Sequence, residues 1–149
     1  MVDHNEDIRQ ATPWHLWVVG VASLLWAAVG AMDYLMTQTR NEAYMSAFTP
    51  EQLEFFYGIP AWAVASWAIA VWGGVLGSLL LLLRRRHAMG VFVASLIAML
   101  ITSFQNFVLS NGLEVMGDPF SIVFTVIIFV VSIALVVYSW RMYQRGVLI

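Results

Sequence analysis

The side chains of this chain that could do chemistry are few, and they sit at the margins of long apolar runs. Asp33 is the only acid inside any predicted span, and Thr37 and Arg40 follow it on successive turns. Gln105 and Asn106 close the third apolar run, while Trp62, Ser66 and Trp67 open the second. An ionisable group in hydrocarbon is costly and normally faces a bundle interior or a water-filled cavity. Asp33 therefore reads in two ways: as a proton-titrating or solute-binding carboxylate, or as a hydrated end residue paired with Arg40. The two amides both donate and accept hydrogen bonds, which suits hydroxylated or amide ligands. The same property suits hydrogen bonds between helices. Trp62 and Trp67 could stack on a ring, although Trp26, Trp67 and Trp72 lie deeper than an interfacial belt and suit packing better than ligand contact. The candidate ligand-binding set is thus Asp33, Thr37, Arg40, Trp62, Trp67, Gln105 and Asn106.

Other chemistries find no support. The chain has no cysteine, which excludes disulfides, thiolate metal sites and cysteine nucleophiles. His4, His15 and His87 fall in an N-terminal polar stretch and at two helix entries, so neither a metal site nor a haem ligand pair is expected. No phosphate-binding glycine loop or nucleophile–base set is present. The reading is a non-enzyme without a cofactor. There is no lysine and the net charge is −2, so no nucleic-acid surface is expected.

The elements that must position the candidates are membrane spans. Of 149 residues, 61% are hydrophobic and 11% charged, against about 25% charged in soluble domains. Ile59 to Leu83 contains no charge and is long enough, at ~1.5 Å per residue, to cross a hydrocarbon core of ~30 Å. Similar reasoning predicts an all-α bundle of four transmembrane helices, near 14–36, 60–83, 88–109 and 119–140, forming one domain over 1–149 with a flexible tail at 1–11. The acidic start argues against a cleaved signal peptide. Thr12-Pro13, Pro60 and Pro119 mark helix starts. Thr49-Pro50-Glu51-Gln52 has the form of a capping box and opens a short interfacial helix near 50–57.

Small residues predict how the spans pack. The second carries Ser66, Ala70, Gly74 and Ser78 at every fourth position, beside Gly73 and Gly77. The third carries Gly90, Ala94, Ala98, Thr102 and Asn106. Membrane helices associate where small side chains let backbones approach. The short connection makes these two spans antiparallel neighbours, so the ladders should face each other or both face the first helix. The fourth span is rich in β-branched and aromatic residues and suits lipid contact. Arg84, Arg85 and Arg86 stop the second span. With Arg9, Arg141 and Arg145 they face one side, and Arg40 stands alone on the other, which predicts both termini in the cytoplasm of a bacterial inner-membrane protein.

Three segments carry a resemblance: Pro13-Trp14-His15-Leu16-Trp17, Met32 to Asn41 (MDYLMTQTRN), and Trp72 to Ser78 (WGGVLGS). Together they resemble a family of small four-span proteins from Gram-negative bacteria whose members often carry the label sugar transporter. The resemblance covers most of the chain and implies no particular site residues. Two functions stay open. One is a small-solute transporter, with sugar as the class the label implies, working as a homo-oligomer. The other is a non-transporting accessory or assembly subunit of a larger membrane complex. The lipid bilayer is the surrounding partner in both.

Overall fold

Proline marks where three of the four long helices begin. Pro13 and Pro60 are extended residues immediately before helices, and Pro119 is the first helical residue of another. In the computed structural model, which describes residues 12–115 and 117–149, the chain is all-α. Its elements are α1 (Trp14–Gln38), α2 (Glu42–Met45), α3 (Pro50–Tyr57), α4 (Ala61–Leu82), α5 (His87–Phe104), a π turn continuing α5 (Gln105–Leu109), α6 (Gly112–Val115) and α7 (Pro119–Gln144). Helices α1, α4, α5 with its π turn, and α7 are each long and apolar enough to cross a membrane. The tail at 1–11 lies outside the described residues.

The boundaries follow local chemistry. The capping box at α3 is complete: Thr49 Oγ1 accepts from the Gln52 amide at 3.2 Å, and Gln52 Oε1 accepts from the Thr49 amide at 3.1 Å. The Asp118 carboxylate caps α7 by accepting from the Ser121 amide at 3.1 Å, and hydrogen bonds from the Ser121 hydroxyl first and this amide second hold the Asp118 carboxyl below its usual range. By contrast, no side chain caps α1, and its start at Trp14 places Pro13 outside the helix rather than at its first position. Helix α7 runs beyond the expected end at 140 to Gln144, because Met142 is buried and holds the last turn in the core.

Helices α1 and α4 end in the same way. Arg40 and Arg84 adopt left-handed backbone (φ 53° and 58°), a position usually held by glycine. The Asn41 amide reaches back to the Met36 carbonyl at 3.0 Å, and the Arg85 amide to the Leu80 carbonyl at 2.8 Å. Gly146 (φ 75°) closes α7 likewise, with the Val147 amide on the Met142 carbonyl at 2.9 Å.

Helix α4 lies between α1 and α5, and α7 packs on α5. Gly77 receives the ring of Phe92, and Gly73 receives Ser95. The Ser95 hydroxyl donates to the Ala70 carbonyl at 2.5 Å, and Ser66 and Thr102 hydroxyls meet at 2.7 Å. Gly74, one step round α4, faces Ala27 of α1, and Ser78 donates to its own helix at the Gly74 carbonyl. Thus Gly73 and Gly77 meet α5 while Gly74 meets α1. The expected ladder of α5 is corrected in part. Ala98 is buried, but Gly90 and Ala94 lie exposed on the outside of the chain. The buried face of α5 is Ala88, Phe92, Ser95 and Ala98 instead.

The apolar core sits at the arginine end. Leu16, Leu81, Ala88, Phe92 and Met142 cluster there with Val147 and Leu148, which fold back under the helices. Two backbone bonds pin this tail to the arginine turn: Arg86 amide to Ile149 carbonyl (3.0 Å) and Ile149 amide to Arg84 carbonyl (2.9 Å). His15 Nδ1 lies 2.6 Å from the Tyr138 hydroxyl, joining α1 to α7 at the same end.

Candidate functional site

The polar groups of the opposite end are largely matched in pairs. Asp33 is half-buried near the end of α1, and its carboxylate accepts a hydrogen bond from the Tyr44 hydroxyl of α2. Burial, with the hydrogen bond and negative charge of Asp33 added, pushes the Tyr44 phenol up to about 12. Arg40 turns elsewhere: its guanidinium carbon lies 4.2 Å from the centre of the Tyr57 ring, a cation–π contact. The expected Asp33–Arg40 pair is therefore replaced, because left-handed Arg40 ends the helix that would have carried it to the Asp33 face. Thr37 is buried one turn beyond Asp33. Tyr34 meets Trp67 edge-on at 5.0 Å, which ties α1 to α4. Trp62 is half-exposed on the outside of α4.

Above these groups, α2 and α3 form an aromatic cap. Phe48 contacts Tyr44 at 5.8 Å and Phe56 at 5.1 Å between ring centres, and Phe56 contacts Phe55. Helix α3 packs against α6, so the cap spans to the far connection.

The third span ends differently from the others. From Gln105 to Leu109 the helix loosens to π geometry, then Ser110 turns it into extended chain. Gly112 makes that reversal possible, since a Cβ there would collide with the Asn106 carbonyl. Gln105 is 4% exposed; its Nε2 donates to the Ser110 hydroxyl at 2.8 Å. Among the described residues its Oε1 has no partner, and neither does the buried Oδ1 of Asn106. A buried acceptor left unmet costs about 1–3 kcal/mol. The two acceptors belong to consecutive residues of a π turn, a geometry that gathers at functional sites, and are buried side-chain atoms that lack a partner among the described residues.

Of the candidates, then, Gln105 and Asn106 are neighbours with free acceptors, while Asp33, Arg40 and Trp67 have partners of their own. No hydrogen bond among the described residues joins Asp33 to either amide. Sequence reasoning missed Tyr44, Tyr57 and Ser110 as those partners. The aromatic density of residues 44–57 was their signal. No protein-family model, curated protein or solved structure matches this chain.

Proposed function

We propose that this is a small integral protein of a bacterial inner membrane that binds a small hydroxyl-bearing solute at the outer end of its bundle, as a step in transport. One observation carries the reading: Gln105 Oε1 and Asn106 Oδ1 are buried acceptors without donors, adjacent on a π turn. A sugar or polyol, rich in O–H donors, would satisfy either acceptor where the π turn opens to admit it. The arginines support the orientation. Arg84, Arg85, Arg86, Arg141 and Arg145 mark the end that would face the cytoplasm, which turns the amides toward arriving solute. Four helices enclose little volume, so passage would run between copies of a homo-oligomer. The resemblance of the signature segments to proteins labelled sugar transporters agrees with this class.

The test exploits the sign of the stability change. Asn106→Leu removes an unmet acceptor, so membrane abundance and melting should hold or rise while uptake of labelled sugars and polyols falls. Gln105→Met should behave similarly, less the Ser110 bond. Lower melting with unchanged uptake in both would show a structural polar network and refute the reading. The second reading, an accessory subunit, draws on α7, whose most apolar stretch has no residue buried within the chain. Reproducible co-purification of a larger complex in mild detergent would favour it.

A further inference from the structure

The arginine end has two open grooves, and both combine a cationic rim with an apolar trough. The larger, about 580 Å³, is lined by Arg86, His87, Met89, Gly90, Ala94 and Tyr143, among others. Gly90 opens its floor, for no atom lies within 4 Å of where a Cβ would sit. Ala94 continues the floor one turn deeper. The second groove, about 510 Å³, runs along α7 from Val130 past Ile133, Ala134, Val137 and Tyr138 to Arg141. Val130 to Arg141 is about 16 Å at ~1.5 Å per residue, roughly half of a ~30 Å hydrocarbon core.

We infer that the Gly90 groove is a binding site for an anionic glycerophospholipid. Arg86 and Tyr143 meet the phosphate, and one acyl chain lies along Met89, Gly90 and Ala94. Charge complementarity selects the occupant. Among the described residues, the acidic side chains Asp33, Glu42, Glu51, Glu54, Glu114 and Asp118 all lie toward the opposite end, so no described acidic side chain competes for the Arg86 guanidinium, while the Arg86 amide holds the Ile149 carbonyl. A parallel second copy docked on this face would bring two sets of arginines together, and like charges repel. An anionic headgroup neutralises them, and basic sites at the ends of transmembrane helices are suited to it. The groove beside Arg141 repeats the pattern.

The experiment uses the full chain, purified and delipidated in a mild detergent, with phosphatidylglycerol and phosphatidylcholine as probes. Native mass spectrometry and thermal melting are read for each. Phosphatidylglycerol adducts should saturate and raise the melting temperature, and phosphatidylcholine should do neither. Arg86→Gln should cut the preference by about fivefold, the worth of one arginine near an anionic surface. Gly90→Leu fills an exposed trough, so the protein should fold normally and lose one adduct. Three results would overturn the site: equal retention of both lipids by the wild type, an unchanged preference in Arg86→Gln, or a Gly90→Leu variant that changes oligomer size and keeps its adducts. The last would mark the face as a contact between copies.

Discussion

Alanine substitutions at the glycines of α4 and α5 should separate by what each new methyl group meets. At Gly77 a Cβ would lie 2.7 Å from Phe92 Cε1 and 2.8 Å from its Cδ1. Phe92 is 4% exposed and has little room to move. Overpacking a filled interior costs about 1–3 kcal/mol, while replacing a mid-helix glycine by alanine regains about 0.5–1 kcal/mol. The net expectation for Gly77→Ala is a loss of roughly 0–2.5 kcal/mol. Gly73→Ala should cost a similar amount, because its Cβ would fall 3.0 Å from Ser95 Cβ and push the hydroxyl bonded to Ala70. At Gly74 the nearest atom, Ala27 Cβ, is at an ordinary 3.4 Å, and Gly90 has nothing within 4 Å. Both should be neutral or gain up to about 1 kcal/mol. Equilibrium unfolding in mixed micelles measures the series. Phe92→Leu added to Gly77→Ala should recover part of the loss. If Gly77→Ala proves as stable as Gly90→Ala, the Phe92 packing is wrong.

Three further outcomes are expected. The Tyr44 phenol, raised to about 12, stabilises the fold fully below its unfolded value near ~10 and loses that contribution as pH rises through about 12. Alkaline titration of tyrosinate absorbance should lose a component near pH 12 in Tyr44→Phe, and an unchanged high-pH component in that variant would contradict the Asp33 bond. A double-mutant cycle on Ser66→Ala and Thr102→Ala should give a coupling near ~0.6 kcal/mol, as for other hydrogen bonds between membrane helices, and additive effects would deny the contact. Arg40→Gly relieves left-handed backbone worth about 1 kcal/mol and loses the Tyr57 contact of similar size, so unfolding should shift by less than about 0.5 kcal/mol. A larger loss would assign Arg40 a heavier role.

The four long helices and the cap of α3 were legible because their causes are local. A charge-free run of membrane length needs no tertiary information, and Thr49 and Gln52 lie only three residues apart. The two arginine-terminated helices were less so, since the left-handed position usually announces itself with glycine, and Arg40 and Arg84 carry no such sign. That hidden turn also undid the Asp33–Arg40 pair, which assumed the helix ran on. The π turn at Gln105 was illegible for a similar reason. It arises where Gly112 crosses Asn106, a fit between chain segments that residue types alone do not encode. The amides were placed at the correct end, but their lack of partners is a property of the packed structure.

The small-residue ladders show why a correct pattern can name the wrong face. At 3.6 residues per turn, a step of four overshoots one turn by about 40°. Over four rungs the direction therefore swings by about 120°, and a strict i, i+4 ladder winds around its helix. In α4 the winding does no harm, because that helix has neighbours on two sides. Ser66 and Ala70 meet Thr102 and Ser95 of α5, and Gly74 has turned to Ala27 of α1. The second neighbour of α5 is α7, whose Met142 shares the core cluster with Ala88 and Phe92 and leaves Gly90 and Ala94 uncovered. The ladder of α5, buried at Ala98, has wound out to the surface by Ala94 and Gly90. The true buried row takes steps of four, three and three, through Ala88, Phe92, Ser95 and Ala98, and keeps Phe92 and Ser95 on α4. Small residues on the packed face admit a neighbouring helix. The same residues wound outward leave an open floor, and at Gly90 that floor lies beside Arg86, where an acyl chain and its phosphate can share it.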